Sequence, residues 1–392
     1  MEGDFIKINE WLLPFSWVYG MVVSFRNFLF ELGILKSRAY KTPVISVGNI
    51  TVGGTGKTPH VEYLVRLLKD KTRVAVLSRG YKRKSRGFLI AGKDTPMPMI
   101  GDEAYQMKQK FPKVTIAVDK KRTRGIEQLT QNDSEKSTID VILLDDAFQH
   151  RYVKPGINIL LVDYHRLVIY DKLLPAGRLR EPIKAKDRAD IVIVTKCPKD
   201  LKPMEYRVIT KALNLYPYQN LYFTSIDYEP LQPVFGANSR KRALDALGDT
   251  NVLLLSGIAS PRQLTEDITP IAKTVTPLTF ADHHHFKRKD ITQLNTLFDE
   301  MASPKCIITT EKDAARLVST DGLSENVKQH LYALPVHICF MLEQKDSFNQ
   351  NILGYVRKNS RNSILAKGQN DHKPHNSHHS GDRPRTISFR NN

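Results

Sequence analysis

The fold is decided by the sequence Val44-Ile45-Ser46-Val47-Gly48-Asn49-Ile50-Thr51-Val52-Gly53-Gly54-Thr55-Gly56-Lys57-Thr58-Pro59. An apolar, β-branched run leads into a glycine-rich loop, and a segment with helical character, 60–68, follows. Glycines let the backbone N–H groups of such a loop turn towards an anion, and the next helix points the positive end of its dipole at the same place. This order predicts an α/β protein with a P-loop NTPase-type parallel sheet that binds a nucleoside triphosphate.

The loop supplies a run of candidate ATP-binding residues, namely Thr51, Val52, Gly53, Gly54, Thr55, Gly56, Lys57 and Thr58. Lys57 is expected to reach the β- and γ-phosphates, and Thr58 is expected to offer its hydroxyl to Mg²⁺. The strict pattern has glycine where this chain has Thr51, and the extra glycines restore the flexibility of the loop. The alternative is a glycine-rich turn with an incidental lysine, which the flanking strand and helix disfavour.

The charge of the chain is strongly positive, with 59 Lys and Arg against 41 Asp and Glu and a formal net charge of +18. This balance suits an anionic partner, whether a nucleotide, a nucleic acid or an anionic membrane surface. The three cysteines have no paired spacing, which argues against a disulfide framework and a zinc site and indicates a reducing compartment.

The amino terminus is apolar and aromatic. Residues 11–25 carry no charge and include both tryptophans of the chain, Trp11 and Trp17. The run is too short to span a bilayer, which takes about 20 apolar residues, and tryptophan favours the headgroup level. We therefore predict a membrane-interface helix within residues 1–35. The alternative is a helix that packs on the core of the protein.

Further apolar runs recur at the spacing of alternating strands and helices and predict two α/β domains. We expect a P-loop domain at 36–220 and a smaller α/β domain at 221–358, joined near 216–238 where prolines concentrate. Residues 359–392 are poor in apolar side chains and predict a disordered basic tail, whose histidines leave metal binding open as the less favoured alternative.

Two carboxylates, Asp145 and Asp146, end a strand-like run and are candidate Mg²⁺ ligands, because adjacent carboxylates repel one another unless a cation neutralises them. Gln149 and His150 follow at once. In a loop before a helix-like stretch, Asp102 is either a proton acceptor or, more in keeping with the pattern alone, a helix cap. Arg178 and Arg180 lie with Glu181 in a loop punctuated by proline and glycine and could present cations to phosphate, although from spacing alone this is merely a basic loop. His283 and His284 lie in a triple-histidine run, where one of them could partner a carboxylate base.

Together these segments resemble one family closely, the tetraacyldisaccharide 4′-kinases of lipid A biosynthesis. The matching segments come in the order of the family, and they are the phosphate loop 47–59, Ser78-Arg79-Gly80-Tyr81, Gly101-Asp102-Glu103, Asp145-Asp146-Ala147-Phe148-Gln149-His150, Leu174-Pro175-Ala176-Gly177-Arg178-Leu179-Arg180-Glu181-Pro182, Ser256-Gly257-Ile258-Ala259, Asp282-His283-His284 and Thr310-Glu311-Lys312-Asp313. They cover most of residues 10–340, and their combination is specific although each alone is weak.

The resemblance implies an enzyme on the cytoplasmic face of the inner membrane of a Gram-negative bacterium. It would transfer the γ-phosphate of ATP, with Mg²⁺, to the 4′-hydroxyl of a tetraacyl disaccharide 1-phosphate. Asp102 would be the base, and His283 or His284 would tune it. Asp145, Asp146, Glu103 and Glu181 would order metal and substrate. No nucleic acid and no obligate protein partner is expected. The alternatives from other classes are a nucleic-acid ATPase, suggested by the charge, and a membrane-recruited nucleotide switch without a lipid product.

Overall fold

The computed structural model describes residues 8–131, 139–236, 241–258, 261–282 and 284–359. His283 and all of the predicted tail except residue 359 therefore lie outside the described residues. Within the described ranges, the chain forms two sheets flanked by helices, and parallel strand pairs predominate in both. The predicted α/β class, with a larger and a smaller sheet, is confirmed.

The larger sheet has nine strands in the order β14-β8-β7-β6-β1-β5-β2-β4-β3. Its strands are β1 (Val44–Gly48), β2 (Val74–Ser78), β3 (Leu89–Ile90), β4 (Thr115–Val118), β5 (Val141–Asp145), β6 (Ile157–Asp163), β7 (Ile191–Thr195), β8 (Asn220–Tyr228) and β14 (Val336–Phe340). Only β3 and β14 run antiparallel to their neighbours among these strands. The strands β1, β2, β5 and β7 are buried along their whole length, because helices cover both faces of the sheet.

The smaller sheet has five strands in the order β11-β10-β12-β13-β9. Its strands are β9 (Gln232–Pro233), β10 (Asn251–Ser256), β11 (Thr274–Thr279), β12 (Lys305–Thr310) and β13 (Leu331–Leu334). The helices of the chain, in order, are α1 (Leu13–Glu31), α2 (Lys57–Leu68), α3 (Met97–Ile100), α4 (Asp102–Lys110), α5 (Arg122–Gln131), α6 (Pro203–Leu213), α7 (Pro261–Ile268), α8 (Arg288–Glu300), α9 (Glu311–Val318), α10 (Glu325–His330) and α11 (Lys345–Asn359).

The larger sheet does not end at residue 220, where the sequence predicted a domain boundary. Strand β8 begins there and pairs with β7, and β14, which we had placed in the smaller domain, pairs antiparallel with β8. Helix α11 then packs on the larger sheet through Phe348, Ile352 and Val356. The chain thus crosses to the smaller sheet after β8 and returns at β14, so two neighbouring segments connect the two sheets.

Helix α1 has one docked face and one exposed apolar face. Ser16 and Gly20 are buried, and a Cβ on Gly20 would lie 2.8 Å from the Leu173 side chain. The Ser16 hydroxyl donates to the carbonyl of Leu173 at 3.0 Å. On the opposite face, Trp11 and Trp17 are 91% and 70% exposed. The helix therefore packs on the body of the protein and still presents an apolar surface. Within the described ranges, no helix is both long enough and apolar enough to cross a membrane.

Candidate active site

The phosphate loop joins β1 to α2 and has a backbone shaped to cradle an anion. Gly53 and Gly56 have φ angles of 113° and 78°, which residues with side chains rarely adopt. The hydroxyl of Thr195, at the end of β7, donates to the carbonyl of Thr55 at 3.1 Å. The Asn49 amide donates to the Thr55 hydroxyl at 2.8 Å. These bonds fix the loop to the edge of the sheet.

A second loop, residues 174–180, lies against the phosphate loop. The backbone N–H of Val52 donates to the carbonyl of Arg178 at 2.9 Å, and the backbone N–H of Arg180 donates back to the phosphate loop at 2.7 Å. The Arg180 guanidinium lies 3.4 Å from the Asp146 carboxylate, whereas the Arg178 residue is exposed. Arg180 therefore enters the site with its side chain, and Arg178 supports the site with its backbone.

Asp145 ends β5 and is buried beside the phosphate loop, because β5 and β1 are neighbours. The Ser78 hydroxyl donates to its carboxylate at 3.2 Å, and Arg122 donates to its backbone carbonyl at 2.9 Å. Burial, with repulsion from Glu103 and Asp146, raises the pKa of Asp145 to about 7. A cation at this position would favour the ionised form.

Asp146 has a φ of 47°, in the left-handed region, at the turn that follows β5. Its Oδ1 lies 3.6 Å from Nζ of Lys57 and 3.4 Å from the guanidinium of Arg180. Burial alone would raise the pKa of Asp146, but these two cations hold it below its ordinary value. The two aspartates therefore offer oxygen ligands of different charge state beside the phosphate loop.

Asp102 and Glu103 are the first two residues of α4, after Gly101 with a φ of 87°. The Asp102 Oδ1 accepts from the backbone N–H of Glu103 at 3.1 Å. Two cations reach them from α9 beside the smaller sheet. Lys312 lies 2.8 Å from the Glu103 carboxylate, and Arg316 lies 2.5 Å from that of Asp102. The candidate base is therefore held between an element of each sheet.

A cavity of about 470 Å³ opens over the phosphate loop and is lined by residues from both sheets and their helices. Its volume is in the usual range for a small-molecule site. The smaller sheet and its helices contribute Ile258, Leu264 and Lys312 to the wall. The predicted site residues that line the cavity are Val52, Gly53, Gly54, Thr55, Gly56, Lys57, Thr58, Glu103, Asp146 and Arg180.

Gln149 and His150 lie beneath α1. Arg26 of α1 donates to the carbonyl of Gln149 at 3.3 Å. Burial and the charge of nearby arginines lower the pKa of His150 to about 4, so its ring is neutral. The Nε2 atoms of Gln149 and His150 are buried without a hydrogen-bond partner among the described residues. Glu181 is also buried, and it pairs with Arg188 through one oxygen.

His284 has a partner within the smaller sheet's own elements. Its Nε2 lies 2.8 Å from Asp290, which also accepts the backbone N–H of Lys287 at the start of α8. Its ring stacks on Phe280 at 4.8 Å between centroids. Because these contacts account for the position of the ring, we do not assign the predicted catalytic role to His284. The other candidate, His283, lies outside the described residues.

Several residues at the site have no role in the sequence-based prediction. His60, in the first turn of α2, bonds the carbonyl of Gly56 at 2.7 Å. Arg122 is also buried. Lys312 and Arg316, on helix α9 beside the smaller sheet, place positive charges next to Glu103 and Asp102. The segments around Ser78 and Lys312 were part of the family resemblance, and this was the available signal for them.

A second group of metal-ligating side chains lies on β8 and β14, where Asp227, His337 and Cys339 have ligand atoms within 4.8 Å of one another. The ammonium of Lys199 already pairs with Asp227 at 2.9 Å. The strand register also explains the proximity, since His337 is directly opposite Asp227. We therefore assign no metal to this group.

The chain was compared with known families and proteins. A family model described as LpxK, tetraacyldisaccharide-1-P 4′-kinase, matches residues 8–357. A tetraacyldisaccharide 4′-kinase of Bacteroides thetaiotaomicron is 54% identical over 381 residues, which cover 95% of this chain and 100% of that protein. Another of Phocaeicola vulgatus is 56% identical over 364 residues, which cover 93% and 99% of the two chains.

A solved structure is also similar along nearly the whole chain. It is the crystal structure of LpxK from Aquifex aeolicus in complex with ATP, with a TM-score of 0.67 and 30% sequence identity. The similarity covers 88% of this chain and 98% of that one. The fold of this chain is therefore similar to that of an LpxK structure in complex with ATP.

Proposed function

This chain belongs to the tetraacyldisaccharide 4′-kinase family and is thereby an ATP-dependent lipid A 4′-kinase, and from this premise we propose how its residues carry out the transfer. Mg-ATP binds on the phosphate loop, Asp102 removes the proton of the 4′-hydroxyl, and the acceptor is a tetraacyl disaccharide 1-phosphate. The observation that carries the proposal is the shared cavity, which the phosphate loop, Asp146, Glu103 and Arg180 all line.

ATP would place its phosphates against the loop 53–58. The left-handed glycines and the start of α2 direct N–H groups at this position, and Lys57 and Arg180 add two positive charges. Phosphoryl transfer depends mainly on positioning and on neutralising charge, because the protein forms no covalent bond. The crystal structure of the Aquifex relative, which is a complex with ATP, supports this assignment.

The residues at the end of β5 fit a magnesium ion. Asp145 and Asp146 offer carboxylate oxygens and Thr58 a hydroxyl, which are ligands that Mg²⁺ accepts. Burial and repulsion from Glu103 and Asp146 raise the pKa of Asp145 to about 7, and a bound cation would favour its ionised form. When bound, Mg²⁺ would neutralise charge on the β- and γ-phosphates. Lys57 would then exchange its contact with Asp146 for the phosphates.

Asp102 would act on the acceptor. Asp102 is the first residue of α4 and precedes Glu103, which lines the cavity; Asp102 itself is not among the lining residues. The 4′-oxygen forms a bond to the γ-phosphorus, the bond from that phosphorus to the β–γ bridging oxygen breaks, and ADP leaves. Asp102 takes the proton that the hydroxyl loses, so the charge on the attacking oxygen does not build up.

The exposed face of α1 would lie in the membrane interface and bring the site to the lipid. Its apolar residues form a continuous stripe, and the opposite face is joined to the loop 174–180 that holds the phosphate loop. The net charge of +18 suits anionic lipids and an acceptor that bears a phosphate. We therefore infer peripheral association with the cytoplasmic face of the inner membrane.

The test is a kinase assay with γ-labelled ATP, Mg²⁺ and detergent-solubilised tetraacyl disaccharide 1-phosphate. We expect label in the lipid, lost with Lys57→Ala and reduced about 10²- to 10⁴-fold with Asp102→Asn, since a general base contributes that much. ATP binding should be retained in Asp102→Asn. Unchanged turnover in Asp102→Asn would refute the base, and unlabelled lipid with intact ATP hydrolysis would refute the acceptor.

A further inference from the structure

Arg316 on α9 is buried and spans the space between the two sheets' elements. Its side chain is 4% exposed. One nitrogen, Nη1, donates to Asp313 at 2.7 Å and also lies 3.4 Å from the carbonyl of Gly257, both in the smaller sheet's part of the chain. The other, Nη2, donates to Asp102 at 2.5 Å. Because the guanidinium is planar, its contacts with Asp313 and Gly257 fix its orientation. The position of its contact with Asp102 is therefore defined as well.

The Asp102 carboxylate accepts from donors on two different elements. Oδ2 accepts from Arg316, and Oδ1 accepts from the backbone N–H of Glu103 within α4. A carboxylate held by a donor on each oxygen keeps its plane, which leaves defined lone pairs for an incoming hydroxyl. Removing Arg316 would take away the donor that reaches Asp102 from α9.

The pair also balances charge in a crowded acidic region. Glu103 and Asp146 line the cavity and both act on the buried Asp145, while Glu103, Asp102 and Asp282 act on Lys312. Lys57 and Arg180 contact Asp146, and Lys312 contacts Glu103. Arg316 supplies the corresponding positive charge at Asp102.

We propose that Arg316 is a positioning residue for the phosphoryl transfer, which holds the carboxylate of Asp102 in the orientation needed to accept the proton, and that the base is complete only when α9 lies against α4. This inference rests on the proposed role of Asp102. If Arg316 instead only holds α9 against α4, the loss of activity on its substitution should not depend on Asp102.

The test compares Arg316→Met and Arg316→Lys with Arg66→Met, each alone and in the Asp102→Asn background. Arg66 is a matched control, because it also pairs with a carboxylate, Glu229 at 2.9 Å, on the segment that follows β8. For Arg316→Met we expect kcat to fall about 10- to 100-fold, because only part of the contribution of the general base is lost. The KM values for ATP and lipid should stay within about threefold of the wild-type values. Arg316→Lys should recover part of kcat, and Arg66→Met should retain wild-type kcat.

The decisive comparison is the double variant, measured by single-turnover transfer of label so that slow reactions are visible. If Arg316 acts through Asp102, Arg316→Met costs less than twofold once Asp102 is Asn. An equal loss in both backgrounds, or a loss in KM alone, would overturn the inference and leave Arg316 a structural contact. Thermal unfolding identifies misfolded Arg316→Met, in which case Arg316→Lys carries the same cycle. Undiminished turnover in Asp102→Asn alone would instead refute the base itself.

Discussion

His60 links the phosphate loop to β8 through both ring nitrogens. Nδ1 lies 2.7 Å from the carbonyl of Gly56 and Nε2 lies 3.1 Å from the hydroxyl of Thr224. Because a carbonyl only accepts, Nδ1 carries the proton, and Nε2 accepts from the hydroxyl. Burial lowers the pKa of His60 to about 4. The neutral ring is therefore part of the folded structure of the phosphate loop.

His60→Gln should change the acid sensitivity of the fold. Between pH 7 and 5 a histidine in the unfolded chain gains a proton near its ordinary pKa of about 6.5, while folded His60 stays neutral. The unfolded state then binds more protons than the folded state, so the contribution of His60 to stability decreases as the pH falls. At pH 5 the decrease is roughly 2 kcal/mol. In urea unfolding, the free energy of unfolding of the wild type minus that of His60→Gln should be smaller at pH 5 than at pH 7 by about this amount.

The control for this measurement is His330→Gln, at the end of α10, whose ring bonds the carbonyl of Asn326 at 2.8 Å. This variant removes a histidine whose ring is not buried, so it shows how much of the change comes from losing a histidine as such. If the His60→Gln difference is the same at pH 7 and at pH 5, His60 is not buried as a neutral ring.

The sequence could predict the residues of the phosphate loop but not those that hold it. Lys57 and Thr58 follow from local spacing, because the loop and its helix are contiguous. His60, Arg122 and Arg316 act across 164, 23 and 214 residues of chain, respectively, to Thr224, Asp145 and Asp102. Nothing in local periodicity indicates such partners, and single basic residues read as solvated.

Helix α1 packs on the body of the protein, as one of the two interpretations of the sequence expected, and it leaves an apolar face exposed. One face packs on the body of the protein through Ser16 and Gly20, and the other is apolar and exposed. Small residues let the helix approach closely, since a Cβ on Gly20 would meet Leu173 at 2.8 Å. Hydrophobic periodicity in the sequence identifies an apolar helix. It does not show which face packs on the protein, because nearly every position of this helix is apolar.

Val18→Asp with Val22→Asp should separate membrane binding from folding. Both side chains are more than half exposed, so the fold loses little, while two charges would have to enter the headgroup region. We expect co-sedimentation with anionic liposomes to fall at least about tenfold, since burying a valine is worth about 1.5 kcal/mol. The melting temperature should remain within a few degrees of the wild-type value.

The matched control is Met204→Asp with Val208→Asp, which places the same charges four residues apart on an exposed part of α6. It should sediment like the wild type. Equal sedimentation of both double variants and the wild type would show that the exposed face of α1 does not contact the membrane.

The strands were the easiest elements to predict and their sheet membership the hardest. The runs that became β1, β5, β7 and β10 are apolar along their length, as buried parallel strands are. Strand β8 was read as linker, and β14 was assigned to the wrong sheet. Both errors have one cause, because strand pairing depends on contacts distant in sequence, and the β8–β14 pair joins residues more than 100 positions apart.

The two sheets' elements are connected by charges as well as by chain. Lys110 of α4 lies 2.7 Å from Glu62 of α2 and 2.8 Å from Glu311 of α9. Burial, followed by the opposing effects of Lys110 and Glu311, raises the pKa of Glu62 to about 7. The Lys110 ammonium therefore holds two carboxylates, one from each side of the cavity.

Lys110→Met should destabilise the whole chain, because it leaves two carboxylates close together without their cation. We expect a loss of about 3 kcal/mol in the free energy of unfolding at pH 8, as for other broken buried pairs. A protonated Glu62 needs no cation, and its folded pKa lies above its unfolded one. The loss should therefore be smaller at pH 6 and grow as pH rises through 7. Urea unfolding at both pH values measures it.

The control is Lys108→Met, on the same helix, whose exposed ammonium bonds the carbonyl of Pro112 at 2.9 Å. It should cost less than about 1 kcal/mol at either pH, as surface charges usually do. Adding Glu62→Gln to Lys110→Met should restore part of the loss, since one of the two unpaired charges is removed. A Lys110→Met variant as stable as Lys108→Met at pH 8 would mean that the two sides of the cavity are held together without this bridge.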